Sequence, residues 1–419
     1  MNEGRSYRDN LVARVRGWGA TFSSLENPNY RWFWLSSTAS FAAMQMQMVV
    51  RGWLVYELTE SALALGVVSA AAGAFIILFS LYGGAIADRV DKRNLLIVSQ
   101  AAAGVATLIV AILITMGAIE FWHLIIASIV NGLILAFRLP VRQAIIPELV
   151  EQHQVMNAVA LSSGALNLNR VVAPALGGVL VGVIGIDGVY YLMVAFFMIS
   201  ALLMLGVMPR DRTGEVPRPK ASVHSDIVEG VRYVRTRPVL IALLVIAVVP
   251  ILFGMPYQML MPIFAVDVLD VGVSGLGYLM AAVGVGALVG SLFVASLGDF
   301  RRKGVLLLAT CGLFGAFLAA FANSHYFWLS IAFLLGVGVA NAGYMAVNNT
   351  LLQVNVEDGM RGRVMSMYMM TIGLFPLGVL PAGAIAEITG VALPVLVGGA
   401  IILVFTVTMA IWRPALRRL

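Results

Sequence analysis

The sequence predicts an all-α membrane protein, with twelve transmembrane helices arranged as two six-helix bundles. Three observations carry that expectation. Of 419 residues, 60% are hydrophobic and only 11% are charged, well outside the range of soluble domains. The apolar residues fall into about twelve blocks of upwards of 20 residues, each able to cross about 30 Å of hydrocarbon at 1.5 Å per residue. Of the 27 Lys and Arg residues, all but four collect at alternate ends of those blocks. A β-barrel would instead read as alternating segments of about ten residues, and the chain has no such pattern.

Taken in order, the blocks are 31–57, 62–87, 94–117, 122–147, 157–184, 188–208, 238–267, 275–297, 304–323, 327–352, 363–387 and 392–412. Residues 1–30 are polar and basic and read as a cytoplasmic N-terminal segment. Basic clusters then follow the second, sixth, eighth, tenth and twelfth blocks: Arg89, Lys92 and Arg93; Arg210 to Arg237; Arg301, Arg302 and Lys303; Arg361 and Arg363; and the tail 413–419. The alternate loops hold Glu57, Glu60, Glu120, Asp187, Asp267, Asp270 and Glu387, with no basic residue among them. Positive charge is retained on the cytoplasmic side during insertion, so both termini are expected there. The same bias, facing an anionic inner leaflet, accounts for the net charge of +6 without a nucleic-acid partner. The single cysteine, Cys311, supports neither a disulfide framework nor a thiolate metal site.

The longest polar insertion, 209–237, divides the chain into a first bundle, 31–208, and a second, 238–412. Its latter part spaces Val223, Ile227, Val231 and Val234 on one helical face against Arg232 and Arg235, which suits a helix along the inner surface. Sliding the halves by 211 positions brings Gly66 onto Gly277, Gly73 onto Gly284 and Asp88 onto Asp299. A basic cluster follows each Asp. Duplicated bundles about an axis normal to the membrane are a common transporter plan.

The most specific string is Gly83-Gly84-Ala85-Ile86-Ala87-Asp88-Arg89-Val90-Asp91-Lys92-Arg93. Its small residues permit close helix approach, and Asp88 at a helix end is placed to pair with a base or a helix N-terminus. The string resembles the loop 2–3 signature of the major facilitator superfamily. Two further strings, 138–150 followed by Asn157-Ala158 and Arg361-Gly362-Arg363-Val364-Met365-Ser366-Met367-Tyr368, resemble its branch of enterobactin exporters and macrolide efflux pumps. The resemblance implies a bacterial inner-membrane carrier that exports a small molecule by alternating access, driven by proton entry. An importer or a lipid or lysolipid transporter of the same fold is the rival reading. It also implies a conformational switch at Gly84, Asp88, Arg89, Arg93, Arg142 and Asp299, a monomer in lipid, and no cofactor. Two positions depart from the drug–proton antiporter pattern. Ser128 stands where an Arg is usual in the fourth helix, and the fifth-helix glycine series survives only as Ala173-Pro174-Ala175-Leu176-Gly177-Gly178.

Four arginines, Arg51, Arg138, Arg142 and Arg170, lie inside apolar blocks. A charge there is costly and normally faces the bundle interior with a partner. Gln47 shares a face with Arg51, and Asn167 with Arg170. No acidic residue lies at mid-depth in any block, so a cavity lined by these arginines has a positive potential. Arg51 and Arg170 are therefore the expected anion-binding groups, with backbone struts as the alternative. Tyr257 in the proline-rich seventh helix, and Asn341 and Tyr344 in the tenth, are the expected hydrogen-bonding wall. Glu57 and Asp267 are the expected proton-coupling carboxylates, with plain solvated loop acids as the alternative. No Ser/His/Asp constellation or phosphate-binding loop is present, so neither an enzyme nor a nucleotide-driven pump is expected.

Overall fold

The computed structural model describes residues 22–87, 90–208, 223–297, 300 and 302–417. Among the described residues every regular element is helical. Ten helices are long and apolar enough to cross a membrane. One of these, Gln152–Leu205, is 54 residues long, about 80 Å if straight and far too long for a single crossing. Gly185, with φ 76° and ψ 169°, breaks it into α5 (155–184) and α6 (186–205). Such a φ suits a residue without a Cβ. The chain doubles back there, since the helix Pro28–Thr59 touches both the start of α5 and the far end of α6: Tyr30 Oη donates to the Ala158 carbonyl at 2.6 Å and Ser36 Oγ to the Ser200 carbonyl at 2.8 Å.

The twelfth span is α1, Pro28–Thr59. Its serines, Gln45, Gln47 and Arg51 lower its hydropathy below that of the others. Asn27 caps it by accepting from the Asn29 amide at 3.0 Å, and Pro28 occupies the first turn, where its missing N–H costs nothing. The remaining spans are α2 (Ala62–Ala87), α3 (Lys92–Thr115), α4 (Phe121–Leu149), α7 (Pro238–Val268), α8 (Gly272–Ser296), α9 (Lys303–Ala322), α10 (Phe327–Val354), α11 (Asp358–Ile372 and Phe375–Thr389) and α12 (Ala392–Trp412). The prolines of α7 do not sever it. Two π-helical stretches, Pro250–Gly254 and Phe264–Val268, absorb them, as π turns commonly do where the hydrogen-bond ladder is interrupted.

In the first set α1 packs on the α5–α6 run, α2 on α4, and α3 on α4 and the α5–α6 run. In the second, α8 packs on α10, and α9 on α10 and α12. The two sets meet mainly through α5 against α8 and α2 against α11. The ends of the spans fall into an acidic set, where Glu57, Glu120, Asp267 and Glu387 lie, and a basic set, where Lys92, Arg93, Lys303 and Arg363 lie. At the basic end the surface helix Val223–Arg235 is tied to protein. Glu229 pairs with Arg363 of α11 at 3.2 Å, Tyr233 Oη accepts from the Glu357 amide at 3.2 Å, and Arg237 pairs with Glu357 while stacking on the Tyr233 ring at 4.5 Å.

Candidate functional site

The glycines aligned by the internal repeat all stand at the crossings between the two bundles. A Cβ built on Gly66 would lie 3.4 Å from the Val379 carbonyl, and one on Gly73 would lie 2.1 Å from Pro376 Cγ, both on α11. On α8, a Cβ on Gly277 would meet Gly178 Cα at 3.0 Å, and one on Gly284 would meet Val171 Cα at 2.6 Å, both on α5. A Cβ fits at Gly66 but not without displacement at Gly73, Gly277 or Gly284, where small residues let the helices approach closely. The same two positions of each half thus build the two crossings.

These crossings lie toward the acidic end, and polar latches continue them there. Tyr56 Oη of α1 donates to Asp267 Oδ2 of α7 at 2.6 Å. Glu387 of α11 accepts from Ser61 Oγ at 2.9 Å and from the Leu63 amide at 3.1 Å, so a residue of one bundle caps the first turn of α2 in the other. A carboxylate at a helix N-terminus is favourably placed against the dipole. Toward the basic end the bundles part. On α5, Met156, Ser163, Asn167, Leu168 and Arg170 are exposed, and a Cβ on Gly164 would meet nothing within 4 Å. Leu292 and Phe293 on α8 and Val354 on α10 are also exposed. The conformation is closed at the acidic end and split at the basic end.

Within the first bundle lies a cavity of about 220 Å³ whose lining includes Gln45, Gln47, Arg51, Asn131, Arg138 and Phe197. That volume exceeds the roughly 30 Å³ share of a water molecule several times. All its lining residues come from α1, α2, α3, α4 and α6, and none is acidic. Arg138 is only 3% exposed, and its one hydrogen bond to a described residue runs from Nη2 to Met44 Sδ at 3.5 Å, a weak acceptor. The guanidinium carbon of Arg142 sits 4.3 Å from the Phe41 ring centroid and that of Arg138 5.9 Å from it. The ring face attracts both cations. Gln47 donates to Thr107 Oγ1 at 3.3 Å, which fixes its amide against α3.

The structure brings Gln47 and Arg51 together in this cavity. Asn167 and Arg170 do not line it. Their stripe on α5 continues into buried Pro174, between the contact of Gly177 with Met46 on α1 and that of Gly178 with Gly277 on α8. Arg170 therefore stands in the cleft between the bundles. Tyr257 and Tyr344 are each 1% exposed and lie within the second bundle. Tyr344 stacks on Phe314 at 5.9 Å, and Tyr257 Oη and Asn341 Oδ1 are buried without a partner among the described residues. Of the two expected proton-coupling carboxylates, Asp267 accepts the Tyr56 hydroxyl and Glu57 is exposed.

Among the expected switch residues, Arg93 bonds the Met204 and Leu205 carbonyls at the end of α6, at 3.4 and 2.5 Å. Arg142 rests on Phe41, and Gly84 lies in the last turn of α2. Asp88, Arg89 and Asp299 fall outside the described residues. Sequence reasoning counted Arg138 among the buried arginines without assigning it to the anion site, and missed Asn131 as a cavity residue, Tyr56 and Ser61 as latch donors, and Asp91, which caps α3 by accepting from the Asn94 amide at 3.1 Å. Asp91 was detectable, since an Asp just before an apolar run is a helix-start signal. Tyr56 and Ser61 carry no local signal, because their partners are more than 200 residues away.

Comparison with known proteins agrees with this architecture. The family model described as a transmembrane secretion effector matches residues 19–418. A staphyloferrin A transporter of Staphylococcus aureus is 26% identical over 86% of this chain and 90% of its own length. An enterobactin exporter of Shigella boydii is 23% identical over 83% of each. Among solved structures, a bacterial homologue of the human lysosomal transporter Spinster, inward-facing and occupied, superposes with a TM-score of 0.71 at 15% identity, covering 90% of this chain and 94% of that one. The chain belongs to the transmembrane secretion effector family and is a multi-pass membrane transporter of the major facilitator superfamily.

Proposed function

We propose that this transporter exports a small amphipathic anion by alternating access, with protons entering in exchange. One observation carries the reading: a cavity lined by Arg51 and Arg138 and by no carboxylate. Two guanidinium groups in a low-dielectric bundle create a positive potential that favours an anion and disfavours a cation. The relatives named as a staphyloferrin A transporter and an enterobactin exporter support a small-molecule cargo and an outward direction. With the basic end placed in the cytoplasm, both termini are cytoplasmic, and the conformation described is inward-facing. The organisation proposed with it is an N-terminal segment 1–30, bundles 31–208 and 238–412, a cytoplasmic linker 209–237 and a tail 413–419.

Arg170 in the cleft attracts the substrate toward Arg51, and Tyr257, Asn341 and Tyr344 offer polar groups once the second bundle rearranges. Asp267 is the favoured proton site, because the Tyr56 hydroxyl that it accepts comes from the opposite bundle. Glu57 is the second. A proton on Asp267 weakens the charge-assisted bond from Tyr56 and so loosens the outer closure.

The test uses inside-out vesicles, an acid interior, and radiolabelled naphthalene-2-sulfonate, which stays ionised at all working pH values. The proposal requires accumulation that depends on the protein and is abolished by a protonophore. Equal uptake with and without the protein, or accumulation only when the gradient is reversed, overturns it.

A further inference from the structure

We infer that the first-bundle cavity reads two separate negative charges, with Arg51 and Arg138 as the two points, so that the substrate carries at least two oxyanion groups. This deepens the anion reading above and rests on it. Arg51 lies eight residues before the end of α1 at Thr59, and Arg138 seventeen after the start of α4 at Phe121. Both of those termini are at the acidic end. Arg138 reaches Met44 and lies beside Phe41, seven and ten residues before Arg51 on α1, roughly 10 to 15 Å along the helix at 1.5 Å per residue, yet both side chains line one cavity. A single compact anion would use one of them. It would leave the other desolvated with no counter-charge, an arrangement that proteins avoid.

The position of Arg138 is held by the fold. Arg138 is 3% exposed and has Phe41 beside it, with the like charge of Arg142 on the same ring. Repulsion between Arg138 and Arg142 leaves Arg138 more in want of an anion. Between the two depths lie Gln47 and Asn131, and Asn131 Nδ2 is buried without a hydrogen-bond partner among the described residues. These two amides face the stretch of the substrate that joins its charged groups. No acidic side chain lines the cavity to substitute for either anion.

Carboxylates and phosphates share the required chemistry, a planar or tetrahedral oxyanion that a guanidinium binds through two N–H groups. The experiment separates them. Binding to the full-length protein in detergent is measured by calorimetry for suberate, its monomethyl ester, glutarate, and octane-1,8-diphosphonate. Suberate and its ester have the same chain, so their ratio reads the second charge alone. The expected result is a preference of at least about tenfold for suberate over its ester, the gain of one charge-assisted bond, and a dependence on chain length. Arg51→Gln and Arg138→Gln each reduce that preference to within about twofold while the ester still binds. Arg138→Lys, which keeps the charge, retains it.

A tighter diphosphonate assigns the site to phosphate-bearing substrates, and a tighter suberate to polycarboxylates; either supports the inference. Equal binding of suberate and ester by the unaltered protein overturns it and leaves the single-anion reading standing. So does a preference that survives both Gln substitutions. Failure of every anion, naphthalene-2-sulfonate included, removes the anion reading itself. The comparison within the unaltered protein decides the matter even where a variant fails to fold.

Discussion

Gly178→Ala separates the two conformations most cleanly. The added Cβ would lie 2.6 Å from Gly277 Cα and 2.8 Å from both Gly277 N and the Val273 carbonyl oxygen. All three are backbone atoms of α8, so no side chain can swing aside. The shortest approach falls about 0.9 Å below the roughly 3.5 Å at which carbon atoms rest, and α5 and α8 must part. Overpacking of this kind costs about 1 to 3 kcal/mol. The cost falls only on the conformation in which the acidic ends are packed. The equilibrium should therefore move about 5- to 150-fold toward the conformation open at the acidic end.

Spin labels at Ala118 and His325 report this opening. Both residues are exposed at the acidic end, one in each bundle. The buried Cys311 is replaced by Ser so that no other thiol is labelled. The distance distribution should gain a longer population in Gly178→Ala. Gly164→Ala on the same helix, whose Cβ would meet open space, should leave it unchanged. A folded Gly178→Ala protein with an unaltered distribution would refute the claim that these glycines hold the acidic end shut.

Other consequences follow from individual contacts. The double variant Arg51→Gln/Arg138→Gln should lower protein-dependent accumulation of naphthalene-2-sulfonate at least tenfold, by loss of one charge-assisted bond worth about 1.5 to 3 kcal/mol; undiminished flux would exclude both as ligands. Arg138→Met should raise thermal stability in detergent while impairing anion binding, because an apolar isostere of a buried unpaired charge is worth roughly 1 to 4 kcal/mol; a lowered melting temperature would contradict this. Tyr56→Phe should increase the acid-end-open population modestly, by the worth of one hydrogen bond to a carboxylate, about 1.5 to 3 kcal/mol less its solvent replacement, and Asp267→Asn should uncouple substrate flux from the pH gradient. Arg363→Gln should release the surface helix from α11, seen as faster amide exchange over residues 229–235, since it removes the pair with Glu229.

The spans were legible because each obeys one rule of length and polarity. The crossings were legible in part. The repeat singled out Gly66, Gly73, Gly277 and Gly284, but a glycine in a sequence does not say which backbone comes close to it. The lost donors of the α7 prolines are visible in sequence, whereas the π turns that absorb the loss depend on the whole helix path. The cavity was half legible. Arg51 and Gln47 share a helix face and were paired by spacing. Arg138 and Asn131 reach the same space from α4, and only the packing of α1 against α4 brings them there. Arg170 looked equivalent to Arg51 in depth, but α5 presents it to the cleft between bundles and not to the first-bundle cavity.

The most direct test of the account is a structure of the protein with 6-bromonaphthalene-2-sulfonate bound, where the bromine fixes the ligand's orientation. The account predicts the sulfonate oxygens within about 2.7 to 3.2 Å of a guanidinium nitrogen of Arg51 or Arg138. Ligand found instead in the apolar groove of α12 at Val397 and Val404, with neither arginine engaged, would contradict it.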